Sequence, residues 1–266
     1  MSVAPIIEAC RREGRAALIG YLPVGFPSVP DSIEAMEVLV RSGVDIIEIG
    51  VPYSDPVMDG PVIQHAAVRA LEGGVRLKDT FEAVRGVIAA GAGALVMTYW
   101  NPVLRYGVDR FAADLAAAGG AGLITPDLIP DEAADWIGAA DRHGLDKVFL
   151  VAPSSTAERL AEVTSHCRGF VYATAVMGVT GARARVDEAA EDLVSRTRAV
   201  TGLPVCVGLG VSTGDQASQV GRFADGVIVG SALVRCLTEA ATPQAGLEAL
   251  AALARELADG VQRGRA

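Results

Sequence analysis

A short apolar run rich in β-branched residues, then a Gly/Pro/Asp turn, then a helical stretch: this unit recurs eight times along the chain and restricts its architecture more than any other feature. The runs are Ala17–Leu22, Asp45–Ile49, Ala94–Tyr99, Gly122–Thr125, Lys147–Val151, Gly169–Thr174, Pro204–Gly208 and Gly226–Val229. Several (VFLVA, VCVGL, GVIVG) are almost continuously apolar, which suits parallel strands covered on both faces. Between them lie amphipathic segments such as Asp31–Ser42, Lys78–Ala90, Asp109–Ala118, Asp131–His143 and Thr156–His166, with glycine following at 43, 91, 119 and 144.

Eight β-then-α units in 266 residues predict an α/β chain folded as a single (β/α)8 TIM barrel over residues 1–266. An open doubly wound sheet is the competing architecture, but it has fewer strands and a switch-point fingerprint that this chain lacks. The units after strands 2 and 6 are the longest, through the inserts YSDPVMDGPVIQ and MGVTGARARVDEA. Both follow the C-terminal end of a strand, the face on which barrel enzymes build their sites, so they read as lids. Residues 2–13 predict an extra helix under the barrel floor, and Leu247, Leu250, Ala254, Leu257 and Val261 mark the apolar face of a last helix.

Composition removes several function classes. A net charge of −9 with scattered basic residues argues against nucleic acid or anionic membrane as the main partner. The apolar stretch from Gly86 to Trp100 is shorter than the ~20 residues of a spanning helix and is broken by Gly91 and Gly93. The N-terminus carries Glu8, Arg11 and Arg12 where a signal peptide needs an apolar centre, so a cytoplasmic location is expected. Cys10, Cys167, Cys206 and Cys236 lie far apart with no zinc spacing and read as reduced thiols. His65, His143 and His166 fall in or at the ends of helices, and no metal site is expected. A nucleophile elbow, a P-loop and a G-x-G-x-x-G fingerprint are all missing.

Three groups of residues remain as candidates for chemistry. Glu48 lies in the otherwise apolar strand Asp45-Ile-Ile-Glu-Ile-Gly-Val51, where an unpaired carboxylate raises its pKa toward the range of a neutral-pH acid/base catalyst; a structural ion pair is the alternative. Asp55 and Asp59 follow in Tyr53-Ser-Asp-Pro-Val-Met-Asp-Gly-Pro61; each alone reads as a turn residue, but sharing a unit with Glu48 points to function. Gly178-Val-Thr-Gly181, Gly208-Leu-Gly210 and Gly230-Ser231 offer main-chain N–H groups and a helix N-terminus at the ends of strands 6, 7 and 8, the usual phosphate site of a barrel enzyme. The ligand expected from these residues is a phosphomonoester.

The stretch Glu48-Ile-Gly-Val-Pro-Tyr-Ser-Asp-Pro-Val-Met-Asp-Gly-Pro61 resembles the signature of the tryptophan synthase alpha subunit family. The likeness extends through Gly20-Tyr-Leu-Pro-Val-Gly-Phe-Pro27, Met97-Thr-Tyr-Trp-Asn-Pro102, Pro126-Asp-Leu-Ile-Pro130, Gly178-Val-Thr-Gly181, Val207-Gly-Leu-Gly210 and Gly230-Ser231. It implies retro-aldol cleavage of indole-3-glycerol phosphate to indole and glyceraldehyde 3-phosphate. Indole would pass to a beta subunit that carries pyridoxal phosphate, in an alpha2beta2 heterotetramer, with no cofactor in this chain.

By the same resemblance Glu48 is the acid/base group and Asp59 binds the indole N–H. Tyr21, Tyr99 and Tyr172 line the indole pocket, Thr180 meets Asp59 when the loops close, and Gly181, Gly210, Gly230 and Ser231 hold phosphate. Pro52, Asp55, Asn101 and Asp127 occupy partner-contact positions. The chain departs from the family pattern in Ala173-Thr-Ala-Val-Met177, which lacks a serine and an arginine found in some members, and in Pro23, where several carry threonine. Another phosphate-binding barrel, such as a sugar-phosphate isomerase, and a silent barrel that only regulates a partner are the competing readings.

Overall fold

The computed structural model describes residues 2–174, 183–208 and 210–264, the side chains of 183–187 apart. Among the described residues nine strands form one wholly parallel sheet: β1 (Ala17–Pro23), β2 (Ile46–Gly50), β3 (Gly93–Met97), β4 (Gly122–Ile124), β5 (Asp146–Val148), β6 (Leu150–Val151), β7 (Val171–Thr174), β8 (Val205–Gly208) and β9 (Gly226–Val229). Their order is β5-β4-β3-β2-β1-β9-β8-β7-β6. The two ends of that order are consecutive pieces of one extended segment interrupted at Phe149. The fifth strand read from the sequence is therefore the closing stave: β5 pairs with β4, and β6 pairs with β7. The chain forms a TIM barrel.

Alternation along each stave divides the buried residues into two layers. Ile47 and Ile49 join the large cluster between sheet and helices, with Leu18, Val96, Phe111 and Trp136. Ile46 belongs to a second cluster inside the barrel, with Ile19, Leu95, Ile124, Val148, Phe170, Cys206 and Ile228. Period two places Glu48 on the face of Ile46, so it points inward one layer above that cluster.

The floor is closed by the helix Ala4–Arg12, as its apolar positions predict. Val3, Ile7 and Cys10 enter the inner cluster from below. The entry is clasped by Asp146, a buried carboxylate at the start of β5 that accepts the Val3 N–H at 2.8 Å and the Ser2 hydroxyl at 3.0 Å. All four cysteines are free thiols, and burial pushes Cys10 up to about 12. At the other end of the chain the helix Pro243–Arg263 buries Leu250, Ala254, Leu257 and Val261.

Two helices lie where the sequence patterns suggested only loop. Pro61–Glu72 precedes Asp79–Ala90, so the long second unit is a ten-residue loop, 51–60, followed by an extra helix that opens on Pro61. Trp100–Tyr106 precedes Val108–Ala117, and the break between them falls at Gly107, whose φ of 99° suits glycine alone. Other boundaries move by a few residues. The first crossover helix begins at Val29, earlier than Asp31, because Ser28 accepts the Asp31 N–H as its cap and Pro30 fits the first turn. Among the described residues, no helix is long and apolar enough to cross a membrane.

Candidate active site

β2 carries Glu48 into the barrel beneath its C-terminal rim, in register with Tyr21 of β1 on one side and Leu95 of β3 on the other. The side chain is 0% exposed, and among the described residues neither carboxylate oxygen has a hydrogen-bond partner. With nothing to compensate lost hydration, burial pushes the group up to about 8. Near neutral pH Glu48 is therefore a carboxylic acid with a proton to give, and it becomes a base once that proton has left. Among the described residues no cation forms an ion pair with it.

Two phenols flank Glu48, each seated on a glycine of the neighbouring stave. A Cβ on Gly50 would lie 2.5 Å from Tyr21 Cε2, and one on Gly208 would lie 2.5 Å from Tyr172 Oη. Strand glycines here let a tyrosine ring lie flat across the backbone inside the barrel. Burial raises both phenols, and the Glu48 carboxylate adds to each; Tyr21 also feels Asp59 and then Tyr99, so its ring lies among all three. Gly50→Ala is expected to displace the Tyr21 ring and to destabilise the fold by about 1–3 kcal/mol, the cost of overpacking a core. Urea denaturation checks this, and a midpoint unchanged from wild type would show that the ring moves freely.

Asp59 lies on the loop 51–60, half-buried. Desolvation raises it, and the Tyr99 hydroxyl draws it back down. That hydroxyl accepts the Met58 N–H at 3.0 Å, and Gln64 Nε2 donates to the Asp59 carbonyl at 2.8 Å. Glu48, Asp59, Tyr21, Tyr99 and Tyr172 thus converge on one end of the barrel. The sequence reading assigned no role to Gly50, Tyr53 or Gln64, and it grouped Gly208 with the phosphate-site glycines, where the structure makes it the seat of Tyr172. Gly50 and Tyr53 were visible only as members of a motif, because the reason for each is a neighbour distant in sequence.

Across the rim, Gly210 has φ 68°, and the helix Gly214–Gly221 begins after Thr213. Gly230 caps the helix Ser231–Thr238, its carbonyl accepting the Leu233 and Val234 N–H groups at 2.9 and 3.1 Å. The first amides of that helix, at Ser231 and Ala232, have no acceptor within it and suit an anion. A Cβ on Gly230 would touch Tyr21 Cβ at 3.6 Å, so this corner adjoins the wall of phenols. Thr180 and Gly181 lie outside the described residues.

The residues expected to meet a partner occupy the same end. Asp55, Asn101 and Asp127 are exposed, whereas Pro52 is buried within the chain. The Asp127 carboxylate accepts the Trp100 N–H at 2.9 and 3.1 Å through its two oxygens, and Asn101 donates to the Tyr53 hydroxyl at 3.2 Å. Close to them in the chain, Val57, Met58, Leu104 and Ile129 are exposed by 77%, 56%, 54% and 47%. Large apolar side chains left open beside polar ones mark a surface suited to a protein partner.

The family model described as tryptophan synthase alpha chain matches residues 7–262. The tryptophan synthase alpha chain of Mycobacterium avium is 63% identical over 261 residues, which span 98% of this chain and 94% of that one. Among solved structures, tryptophan synthase from Mycobacterium tuberculosis superposes with a TM-score of 0.91 at 61% identity, covering 98% of each chain. The tryptophan synthase alpha subunit from Legionella pneumophila gives 0.88 at 32%, again covering 98% of each. With a barrel of this kind, an unpaired acid at its centre and likeness along nearly its whole length, the chain belongs to the tryptophan synthase alpha chain family.

Proposed function

We propose that this chain is the lyase subunit of tryptophan biosynthesis, one TIM-barrel domain over residues 1–266 that cleaves indole-3-glycerol phosphate to indole and glyceraldehyde 3-phosphate. The observation that carries the reading is Glu48: a fully buried carboxyl group with no partner among the described residues, held at about 8 among phenols at the C-terminal end of the barrel strands. The carbon–carbon bond beside an indole breaks readily only when C3 is protonated and the neighbouring hydroxyl is deprotonated. Glu48 gives its proton to C3, and the ring becomes a cationic indolenine. The carboxylate so formed takes the proton of the side-chain hydroxyl while the bonding pair returns to the ring. Indole and the aldehyde separate, and Glu48 is again protonated.

Asp59 accepts the indole N–H and stabilises the charge that develops on the ring. Tyr21, Tyr99 and Tyr172 enclose the indole. The main chain at Gly210, Gly230 and Ser231, with Gly181, anchors the phosphate, and Thr180 meets Asp59 on closure. Fixing the phosphate supplies remote binding energy for orienting the bond that breaks.

The partner is a beta subunit in an alpha2beta2 heterotetramer of the cytoplasm, docked over Asp55, Asn101 and Asp127 and the apolar side chains beside them, with Pro52 supporting the surface from beneath. Pyridoxal phosphate belongs to that subunit, and this half of the chemistry runs on the chain's own residues. Spectrophotometric detection of indole from indole-3-glycerol phosphate, with and without added beta subunit, tests the reading. Indole is expected in both cases. Isomerisation of a sugar phosphate without indole, or stimulation of the partner with no indole at all, would overturn it.

A further inference from the structure

We infer that Tyr99 is a positioning residue for Asp59, holding in place the loop that carries it, and that Tyr53 and Asn101 hold Tyr99 in turn. The inference rests on the lyase reading above and deepens it. Loop 51–60 leaves β2 at Val51, whose N–H donates to the Met97 carbonyl at 3.0 Å, and it enters the next helix at Pro61. At Val57 and Met58, just before Asp59, the loop turns its apolar side chains to solvent. Burial of these side chains therefore contributes little to fixing the position of Asp59. The Tyr99 hydroxyl supplies what packing does not, because it accepts the N–H of the residue directly before Asp59 at 3.0 Å.

Tyr99 is suited to this task by its own position. It is buried, it directly precedes the helix Trp100–Tyr106, and its ring lies 5.2 Å from that of Tyr53 at 33°. Tyr53 belongs to the same loop, and its hydroxyl accepts from Asn101 Nδ2 at 3.2 Å. The start of one helix thus grips the loop twice, at Tyr53 and at Met58. Accepting the Met58 N–H leaves the phenolic proton of Tyr99 free to turn toward the Asp59 carboxylate, which it draws down against desolvation. An acceptor for an indole N–H must be both ionised and held at a fixed height, and one hydroxyl serves both needs.

Tyr99→Phe in the full-length chain tests this, since it keeps the ring against Tyr53 and removes only the hydroxyl. The kcat for indole release is expected to fall between about tenfold and a hundredfold, the range for a modestly misplaced group, with KM within about twofold of wild type. Without the hydroxyl Asp59 rises further, so the acid limb of the kcat profile moves to higher pH. Hydrogen exchange at the Met58 amide should quicken about three- to tenfold, as expected for one lost hydrogen bond, while the amides of β2 keep their protection. Tyr53→Phe should change both readouts in the same direction by about two- to threefold.

A raised KM with kcat unchanged would make the Tyr99 hydroxyl a contact of the substrate and not a support for Asp59, and would overturn the inference. Unchanged exchange at Met58 would overturn it as well. If wild type released no indole, the lyase reading would fail by itself, and the exchange comparison would still decide whether Tyr99 holds the loop.

Discussion

Glu48→Gln is expected to lower indole release by about a thousandfold or more while the barrel and its affinity for glyceraldehyde 3-phosphate persist. General acid–base catalysis by one positioned group contributes roughly 10²–10⁴, and in the proposed reaction a single carboxyl serves twice, as donor to C3 and as acceptor from the hydroxyl. Glutamine matches the shape of the acid and can do neither. Because the proposed phosphate corner at Gly210, Gly230 and Ser231 lies on other staves, equilibrium binding of the phosphate product should be unchanged. Steady-state rates and calorimetric titration measure the two halves separately. Turnover within about tenfold of wild type would remove Glu48 from the chemistry.

The same substitution is expected to stabilise the fold at alkaline pH. Glu48 is raised from an ordinary 4.5 to about 8 by burial alone, so the folded chain holds a proton that the unfolded chain has lost between those values. Stability from this site is therefore intact below about pH 4.5, falls as pH rises through the window, and levels off above about 8. Glutamine has no such slope. In place of a buried group with no partner among the described residues, it should leave the variant on the order of 5 kcal/mol more stable than wild type above pH 8, at about 1.4 kcal/mol for each of the roughly 3.5 pH units of the window. The difference should vanish near pH 4.5. Urea denaturation of both proteins across pH 4.5–9 checks the sign and the window, and parallel curves would show that Glu48 is hydrated in the folded chain. The residue proposed to carry the catalysis is thus a standing cost to the fold.

How far the fold could be read from the chain depended on how local each cause was. Each barrel stave had a forerunner in the sequence, because a parallel strand covered on both faces is a run of apolar residues whatever its neighbours are. The break at Phe149 was not visible, since it arises where one segment turns from pairing with β4 to pairing with β7, and closure has no local signature. The helix Pro61–Glu72 was hidden in the length of its unit, although Gly60-Pro61 is an ordinary opening for a helix. Trp100–Tyr106 was masked by extending the third strand to Tyr99, where the structure ends β3 at Met97.

At the site, Glu48 was legible because a charge within an apolar strand is conspicuous in one dimension. Asp59 drew attention only through its nearness to Glu48. Tyr53 and Gly50 could not be singled out, because stacking on Tyr99 and seating Tyr21 are relations between separate staves and loops. Pro52, placed by resemblance on a partner surface, is buried in the chain itself, which only a three-dimensional accounting of its neighbours reveals.

The clasp between Asp146 and the first residues bears on chemistry at the opposite end of the barrel. Val3, Ile7 and Cys10 form the lowest tier of a buried apolar cluster, closed to solvent, that includes Ile46 one layer below Glu48. The acid's appetite for its proton comes from that dryness, so the opening helix acts as a gasket. A leak admitted from underneath would rehydrate the carboxylate and relax it toward an everyday glutamate. The proposed proton donor is thus tuned partly by residues that never approach its substrate.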